Sequence, residues 1–251
     1  MNFYRQTNYF RKALNLYYSI LNRIVRIPQF FKLIPPQSLT LETQFYEKKF
    51  RDVSYPDFVR LSSLDMVSKE IYSREIKGSV AEVGVFQGDF ARYINRLFFD
   101  RNFYLFDTFE GFDNRDLNQD KQKGYYKLDQ DFSQTNFNFV LEKMAHIDKC
   151  IIKKGYFPES LEGLEDEFCF VSLDTDLYKP IIDGLNYFYP RLSEGGYIFV
   201  HDYNNFHYLG VKKAIDEFLK DNNACIFPIP DWGGSVAVMK PIKKHILKKE
   251  S

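Results

Sequence analysis

The chain has 251 residues, with 34 lysines and arginines balanced by 34 aspartates and glutamates, and three cysteines. That length suits one sizeable α/β domain with a short elaboration, and zero formal charge removes any global pull toward nucleic acid or a polyanionic substrate. Cys150, Cys169 and Cys225 have no metal-ligand spacing; Cys169 and Cys225 sit in apolar runs where a free thiol acts as a small hydrophobe, which fits a reducing cytoplasm.

No apolar run approaches the roughly 18 to 20 residues needed to cross a bilayer, and the N-terminus lacks a secretory signal pattern. From Arg5 to Lys32 every charged residue is basic, while Phe10, Leu14, Tyr17, Leu21 and Ile24 recur at helical spacing. Such a helix commonly packs on its own domain or on a second subunit, so a homo-oligomer is expected. Its charge also permits peripheral contact of residues 5–32 with an anionic membrane. Pro28, Pro35 and Pro36 end it, and residues 33–56 read as a connector.

A helix is expected from Phe58 to Ser73, with Leu61, Leu64, Val67 and Ile71 on one side. Strand and helix then alternate: strand Val80–Val85, helix Phe90–Phe99, strand Phe103–Phe106, helix Phe137–Met144, strand Cys150–Lys153, strand Phe168–Leu173, helix Tyr178–Tyr189 closed by Pro190, strand Tyr197–Val200 and helix Val211–Leu219. Strands Ala224–Phe227 and Ser235–Met239 close the series; no crossover helix fits between them, so that pair is antiparallel. The pattern predicts an α/β fold with an open, mostly parallel, doubly wound sheet, an antiparallel last strand and an N-terminal helical extension. The domains are then an extension at 1–56, a catalytic domain at 57–241 and a basic tail at 242–251. Phe109 to Thr135 shows no apolar period and reads as a long loop covering an active site.

Open α/β sheets bind ligands beyond the carboxyl ends of their strands. The polar residues there are Glu82, Gly84 and Gly88, then Asp107, Asp174, Asp176, His201 and Asp202. Glycines at 84 and 88 permit a tight turn and close approach of a ligand, but they lack the three-glycine dinucleotide spacing. A carboxylate inside that turn is a poor neighbour for pyrophosphate and a good one for a cationic ligand. Asp107, about 20 residues on, is placed to accept from a ribose diol.

Six segments together, Ala81–Ala91, Phe103–Phe112, Gly155–Ser160, Val171–Pro180, Tyr189–Tyr203 and Asp231–Lys240, resemble the macrocin O-methyltransferase family of class I methyltransferases. The resemblance runs from about residue 57 to 240. It implies S-adenosyl-L-methionine as cofactor, with Gly84 and Gly88 flanking its methionine part, Glu82 serving its amino end and Asp107 its ribose. Asp131 and Ser133 fall near where the family contacts adenine. It also implies transfer of a methyl group to a hydroxyl of a sugar or glycan.

A sugar hydroxyl is a poor nucleophile while protonated and needs a base, a Lewis acid or both. Asp174, Asp176 and Asp202 follow two buried strands; if those strands are neighbours, the like charges need a cation or proton between them, and carboxylates suit Mg²⁺. By the resemblance Asp174 is a metal ligand and Asp176 the base. Where metal-dependent relatives carry two adjacent aspartates, this chain has His201-Asp202. Three arrangements follow: Asp174, Asp202 and waters hold Mg²⁺; His201 joins as a ligand and shifts the preference toward Mn²⁺; or no metal binds and His201 is the base. Tyr178, Tyr203 and Trp232 are aromatic residues near these ends that suit a sugar face or ordinary packing, while His146, His207 and His245 are read as solvent-exposed. Two rival functions are a nicotinamide-dependent oxidoreductase, disfavoured by the missing glycine and the acid in the turn, and a non-catalytic cofactor-binding module, disfavoured by the intact acids.

Overall fold

A computed structural model describes residues 57–242 except 129 and 131. The basic helix of residues 5–32, the connector, Asp131, His245 and the basic tail beyond 242 lie outside the described residues.

The elements are α1 (Phe58–Ser73), β1 (Ser79–Val83), α2 (Ala91–Leu97), β2 (Phe103–Asp107), α3 (Asn114–Gln122), α4 (Phe137–Glu142), β3 (Cys150–Lys154), β4 (Phe168–Leu173), α5 (Tyr178–Arg191), β5 (Leu192–Val200), α6 (Leu209–Asp221), β6 (Cys225–Pro228) and β7 (Val236–Met239). They form one seven-stranded sheet in the order β3-β2-β1-β4-β5-β7-β6. Strands β1 to β5 run parallel, and β7 is antiparallel to both its neighbours. The expected fold class is therefore the one found. The chain leaves β1 toward one edge and β4 toward the other, so the switch point lies between the carboxyl ends of β1 and β4, where a crevice opens.

Burial follows position in the sheet. Strands β1 and β4 are buried at every residue, as parallel strands covered on both faces must be. Edge strands β3 and β6 are partly exposed, and Cys225 on β6 is exposed rather than packed as its apolar run implied. One face, with Ala81, Val83, Phe106 and Leu173, packs against Ile181, Leu185 and Phe188 of α5 and Val211, Ile215 and Phe218 of α6. Each such side chain contributes about 1.5–3 kcal/mol by leaving water. On the other face Phe98, just past α2, stacks on Phe170 of β4 at 5.5 Å.

Two segments differ from the sequence reading. The stretch 109–135 contains α3, hidden from periodicity because its inward side is acidic. Asp113 caps it by accepting from the Arg115 amide, Asp116 accepts from the Tyr156 hydroxyl at 3.0 Å, and Asp120 accepts the Tyr178 amide at 2.9 Å at the start of α5. Strand β5 begins at Leu192, not Tyr197, because its first half, Ser-Glu-Gly-Gly, bulges between the Phe168–Leu192 and Phe170–Tyr197 pairs. Helix α5 also runs through Pro190 to Arg191. No helix among the described residues is long and apolar enough to cross a membrane.

Candidate active site

The β1–β2 side of the crevice is built from backbone. Gly84 has φ +85°, and a Cβ there would lie 2.0 Å from the Asp174 carbonyl oxygen, so only glycine lets β1 pass the end of β4 this closely. Gly88 has φ +77°, and a Cβ would lie 3.0 Å from Val140 of α4. Both glycines thus have neighbours inside the fold that require them. Asp107 Oδ2 accepts from the Val85 and Phe86 amides at 2.8 Å each, and Oδ1 accepts from the Phe109 amide at 2.7 Å. These bonds hold Phe86 and Phe109 at φ +47° and +55°, a strain of about 1–3 kcal/mol each for non-glycine residues. A carboxylate has roughly four lone-pair sites; with Thr108 Oγ1 also 3.5 Å from Oδ1, Asp107 keeps one strong acceptor position for a ligand hydroxyl.

Glu82 is buried on the side facing α1. Ser172 Oγ lies 3.5 Å from its Oε1, and its buried Oε2 lacks a hydrogen-bond partner. Burial pushes its pKa well up; Arg60 opposes that, and Asp174 and Asp107 add to it. A buried carboxyl with an orphaned oxygen beside a glycine turn fits a cationic ammonium. The 132–135 segment folds over the turn. Phe132 meets Phe86 edge-on at 5.2 Å, Thr135 donates to the Phe86 carbonyl, and Gln87 Nε2 donates to the Gln134 carbonyl at 3.0 Å. Ser133 is exposed beside Gly111, where its amide lies 3.1 Å from the site of an added Cβ.

The β4–β5 side is built from charged side chains. Asp174 joins the turn through its amide, which donates to the Val83 carbonyl at 2.8 Å. Its Oδ2 accepts from Arg60 Nη1 at 2.8 Å, and its Oδ1 lies 3.1 Å from His201 Nδ1. The same Nδ1 is 2.8 Å from Asp202 Oδ2, and Asp202 Oδ1 accepts from Asn205 Nδ2 at 2.7 Å. Asp176 and Asp202 both have left-handed backbones, φ +61° and +60°. Asp174, Asp176, His201 and Asp202 each place one ligand atom within 4.8 Å of the others. Burial, together with the Asp202 and Asp174 carboxylates, pushes the Asp176 pKa well up. Burial also works against ionising Asp174, but His201 and Arg60 hold it well below the usual carboxylate range. His201 is opposed by burial and Arg60 yet pushed up to about 10, chiefly by Asp174. Its buried Nε2 has no hydrogen-bond partner and faces Gly233, where a Cβ would intrude to 2.5 Å. The donor set fits a divalent cation, and the carboxylates also have the chain's own imidazolium and guanidinium beside them.

The structure thus gathers Asp174, Asp176, His201 and Asp202 next to Glu82, Gly84 and Asp107. Gly88 lies farther round the turn. Tyr178 and Tyr203 are turned to α6: the Tyr178 hydroxyl donates to Glu217 at 2.9 Å and Lys212 lies 4.8 Å from the Tyr203 ring centre, so packing accounts for both. His207 is not simply solvated; it lies in the loop before α6 with its ring 3.9 Å from Phe206. Sequence reasoning missed Arg60, Asn205 and Tyr208. Arg60, with a side chain 3% exposed, sits 3.8 Å over the Phe90 ring. Its signal was an arginine at i−1 and i−4 from two core leucines, since a buried arginine implies an acid partner. Tyr208 is buried; burial raises its hydroxyl pKa, and the Asp176 and Asp202 carboxylates raise it further.

A family profile described as macrocin-O-methyltransferase matches residues 57–231. Among characterised relatives, the 8-demethyl-8-(2,3-dimethoxy-alpha-L-rhamnosyl)-tetracenomycin-C 4'-O-methyltransferase of Streptomyces olivaceus is 25% identical over 201 residues, 74% of this chain and 69% of that protein. The mycinamicin III 3''-O-methyltransferase of Micromonospora griseorubida is 26% identical over 159 residues, 57% of this chain and 62% of that protein. Of solved structures, the calicheamicin methyltransferase CalS11 superposes with a TM-score of 0.61 at 18% identity, covering 88% of this chain and 90% of that one. The O-methyltransferase NovP gives 0.59 at 21% identity, covering 74% and 81%. At such identities the structural likeness carries the fold alone, whereas the profile spans well over half of the sequence. With its sheet order, its glycine turn and its acids at the strand ends, the chain belongs to the macrocin-O-methyltransferase family and is an S-adenosylmethionine-dependent O-methyltransferase.

Proposed function

We propose that this enzyme methylates a hydroxyl of a sugar or glycan, in a surface polysaccharide or a glycosylated natural product. Asp176 is the proton acceptor, and Asp174, His201 and Asp202 form the adjoining cation site. The observation that carries this reading is the convergence of three carboxylates and an imidazole beside the Gly84 turn. S-adenosylmethionine supplies a methyl group on a sulfonium, whose departure needs no acid. In this reading Glu82 takes the ammonium, the remaining acceptor position of Asp107 takes a ribose hydroxyl, and Asp131 and Ser133 serve the adenine. Asp176, once ionised, is a stronger base than an ordinary carboxylate because burial and its acidic neighbours raise its proton affinity, which suits it to deprotonate the acceptor hydroxyl.

Magnesium or manganese held by Asp174, Asp202 and His201 would supply Lewis-acid chemistry, lowering the pKa of that hydroxyl. A second reading rests on the placement of His201 Nδ1 between Asp174 and Asp202, with Arg60 on the outer oxygen of Asp174. There the chain's own cations neutralise the acids, and no metal is needed. In either case residues 57–241 are the catalytic domain, the enzyme acts in the cytoplasm, and residues 5–32 serve subunit packing or peripheral membrane contact.

The test is incubation of the full chain with methyl-labelled S-adenosylmethionine and a set of methyl glycosides of hexoses and deoxyhexoses, read by mass spectrometry with and without EDTA. Label in a glycoside is expected. Loss with EDTA and return with Mg²⁺ or Mn²⁺ supports the metal site, and indifference to EDTA supports the second reading. No label in any glycoside refutes the sugar assignment.

A further inference from the structure

Two exposed aromatic side chains near the carboxylates have no part in the roles assigned above. Phe206 is 68% exposed and Trp232 is 83% exposed, the two largest exposures among the large apolar side chains of the described residues. Both line one cleft of about 450 Å³, together with Asn204, Asn205, His207 and Asp231. Two backbone-anchored loops make its walls. The 231–234 turn is tied to the 204–206 loop by the Asn204 amide donating to the Gly234 carbonyl at 3.0 Å, and within itself by the Ser235 amide donating to Asp231 Oδ1 at 2.6 Å. The cleft also reaches the chemistry. Gly233, next to Trp232, approaches so closely that a Cβ would lie 2.5 Å from His201 Nε2 and 2.7 Å from Asp202 Oδ1, while Asn205 donates to that same Asp202 oxygen.

The geometry points to this cleft as the acceptor subsite, in which a hexose or deoxyhexose ring lies against Trp232 and Phe206. The inference rests on the sugar-methylation reading above. A pyranose presents an apolar C–H face and a rim of hydroxyls. It therefore needs flat apolar plates flanked by amide, imidazole and carboxylate groups, and the cleft offers that combination. Seating the ring there puts its rim against Gly233 and Asn205, the cleft residues that touch His201 and Asp202, so one hydroxyl is directed past them to the cluster while the others meet Asn204 and His207. The aromatic pair then decides which sugars are taken, and the carboxylates decide what is done to them.

Trp232 is the sole tryptophan of the chain, so its fluorescence reports on the cleft directly. The experiment titrates the full chain, preloaded with S-adenosylhomocysteine, with methyl glycosides of hexoses and deoxyhexoses, which do not absorb at these wavelengths. A saturable change in Trp232 emission is expected with at least one glycoside. Phe206→Ala, which keeps the reporter and removes an exposed ring, is expected to weaken that binding about tenfold or more with S-adenosylhomocysteine affinity unchanged. Flat emission with every glycoside, or binding indifferent to Phe206→Ala, overturns the subsite. Label transfer to the same glycosides separates the two ideas. Methylation with flat emission keeps the sugar reading and rejects the cleft, whereas an emission change without methylation keeps the cleft as a sugar site and rejects the reaction.

Discussion

The two sides of the crevice solve the same problem with different materials. At the ends of β1 and β2 the positions are set by glycine φ angles and by backbone amides that donate to Asp107. At the ends of β4 and β5 they are set by side-chain charges, with Asp174 and Asp202 sharing His201 Nδ1 and Asp174 also held by Arg60. The first side is shaped by the backbone of the fold itself. The second is a balance of like and unlike charges that responds to protons and cations. A binding surface benefits from the first kind of construction, and a group that must gain and lose a proton benefits from the second.

Urea denaturation breaks each side separately. Gly84→Ala drives a Cβ against the Asp174 carbonyl and forbids the left-handed turn, and is expected to cost upward of about 3 kcal/mol. Arg60→Met leaves Asp174 with His201 as its remaining cationic contact and is expected to cost about 2–3 kcal/mol. Equal stability of Gly84→Ala and the parent would contradict the backbone account; equal stability of Arg60→Met would contradict the charge account.

A smaller effect belongs to α3, whose carboxylates support both sides from behind. Asp120→Ala removes the acceptor for the Tyr178 amide and is expected to cost about 1 kcal/mol, whereas Asp120→Asn keeps an acceptor and should stay within about 0.5 kcal/mol. Burial raises the folded-state pKa of Asp120 above its usual 3.8, opposed by the Tyr178 amide and Lys123. The penalty is therefore full above that raised value and is relieved as pH falls through it toward 3.8, so the parent's α3 is held more firmly in mild acid. Hydrogen exchange across 114–122, corrected for intrinsic rates, should slow as the pH is lowered toward 3.8 in the parent and lose that dependence in Asp120→Asn. A parent that shows no slowing would contradict this.

The sheet was legible because its central strands are buried on both faces and so read as short apolar runs with acids at or near their ends; the run Phe168–Leu173 is the observed β4. Glycine turn, Asp107 and the four cluster residues were legible for the same reason, since polar residues that close an apolar strand have few structural uses. What periodicity could not see was structure stabilised by polar contact. Helix α3 turns aspartates inward, and the first half of β5 is a glycine bulge. Arg60 lies 114 positions from Asp174, and a single sequence holds no record of that pairing. Tyr178 and Tyr203 adjoin the acids in sequence and suited either a sugar face or ordinary packing. Helix and loop geometry turns them to α6, the packing alternative, and leaves Phe206 and Trp232 at the cleft.

The division of labour between the two sides is tested most directly by calorimetric titration of S-adenosylmethionine into the parent, Asp107→Ala and Asp176→Asn, with turnover measured on the same samples. Asp107→Ala should weaken binding about 10- to 100-fold, the worth of a hydrogen bond to a charged group. Asp176→Asn should bind within about threefold of the parent and lose turnover by about 100-fold or more. Parent-like affinity in Asp107→Ala, or parent-like turnover in Asp176→Asn, would contradict the assignment of cofactor grip to one side and proton removal to the other.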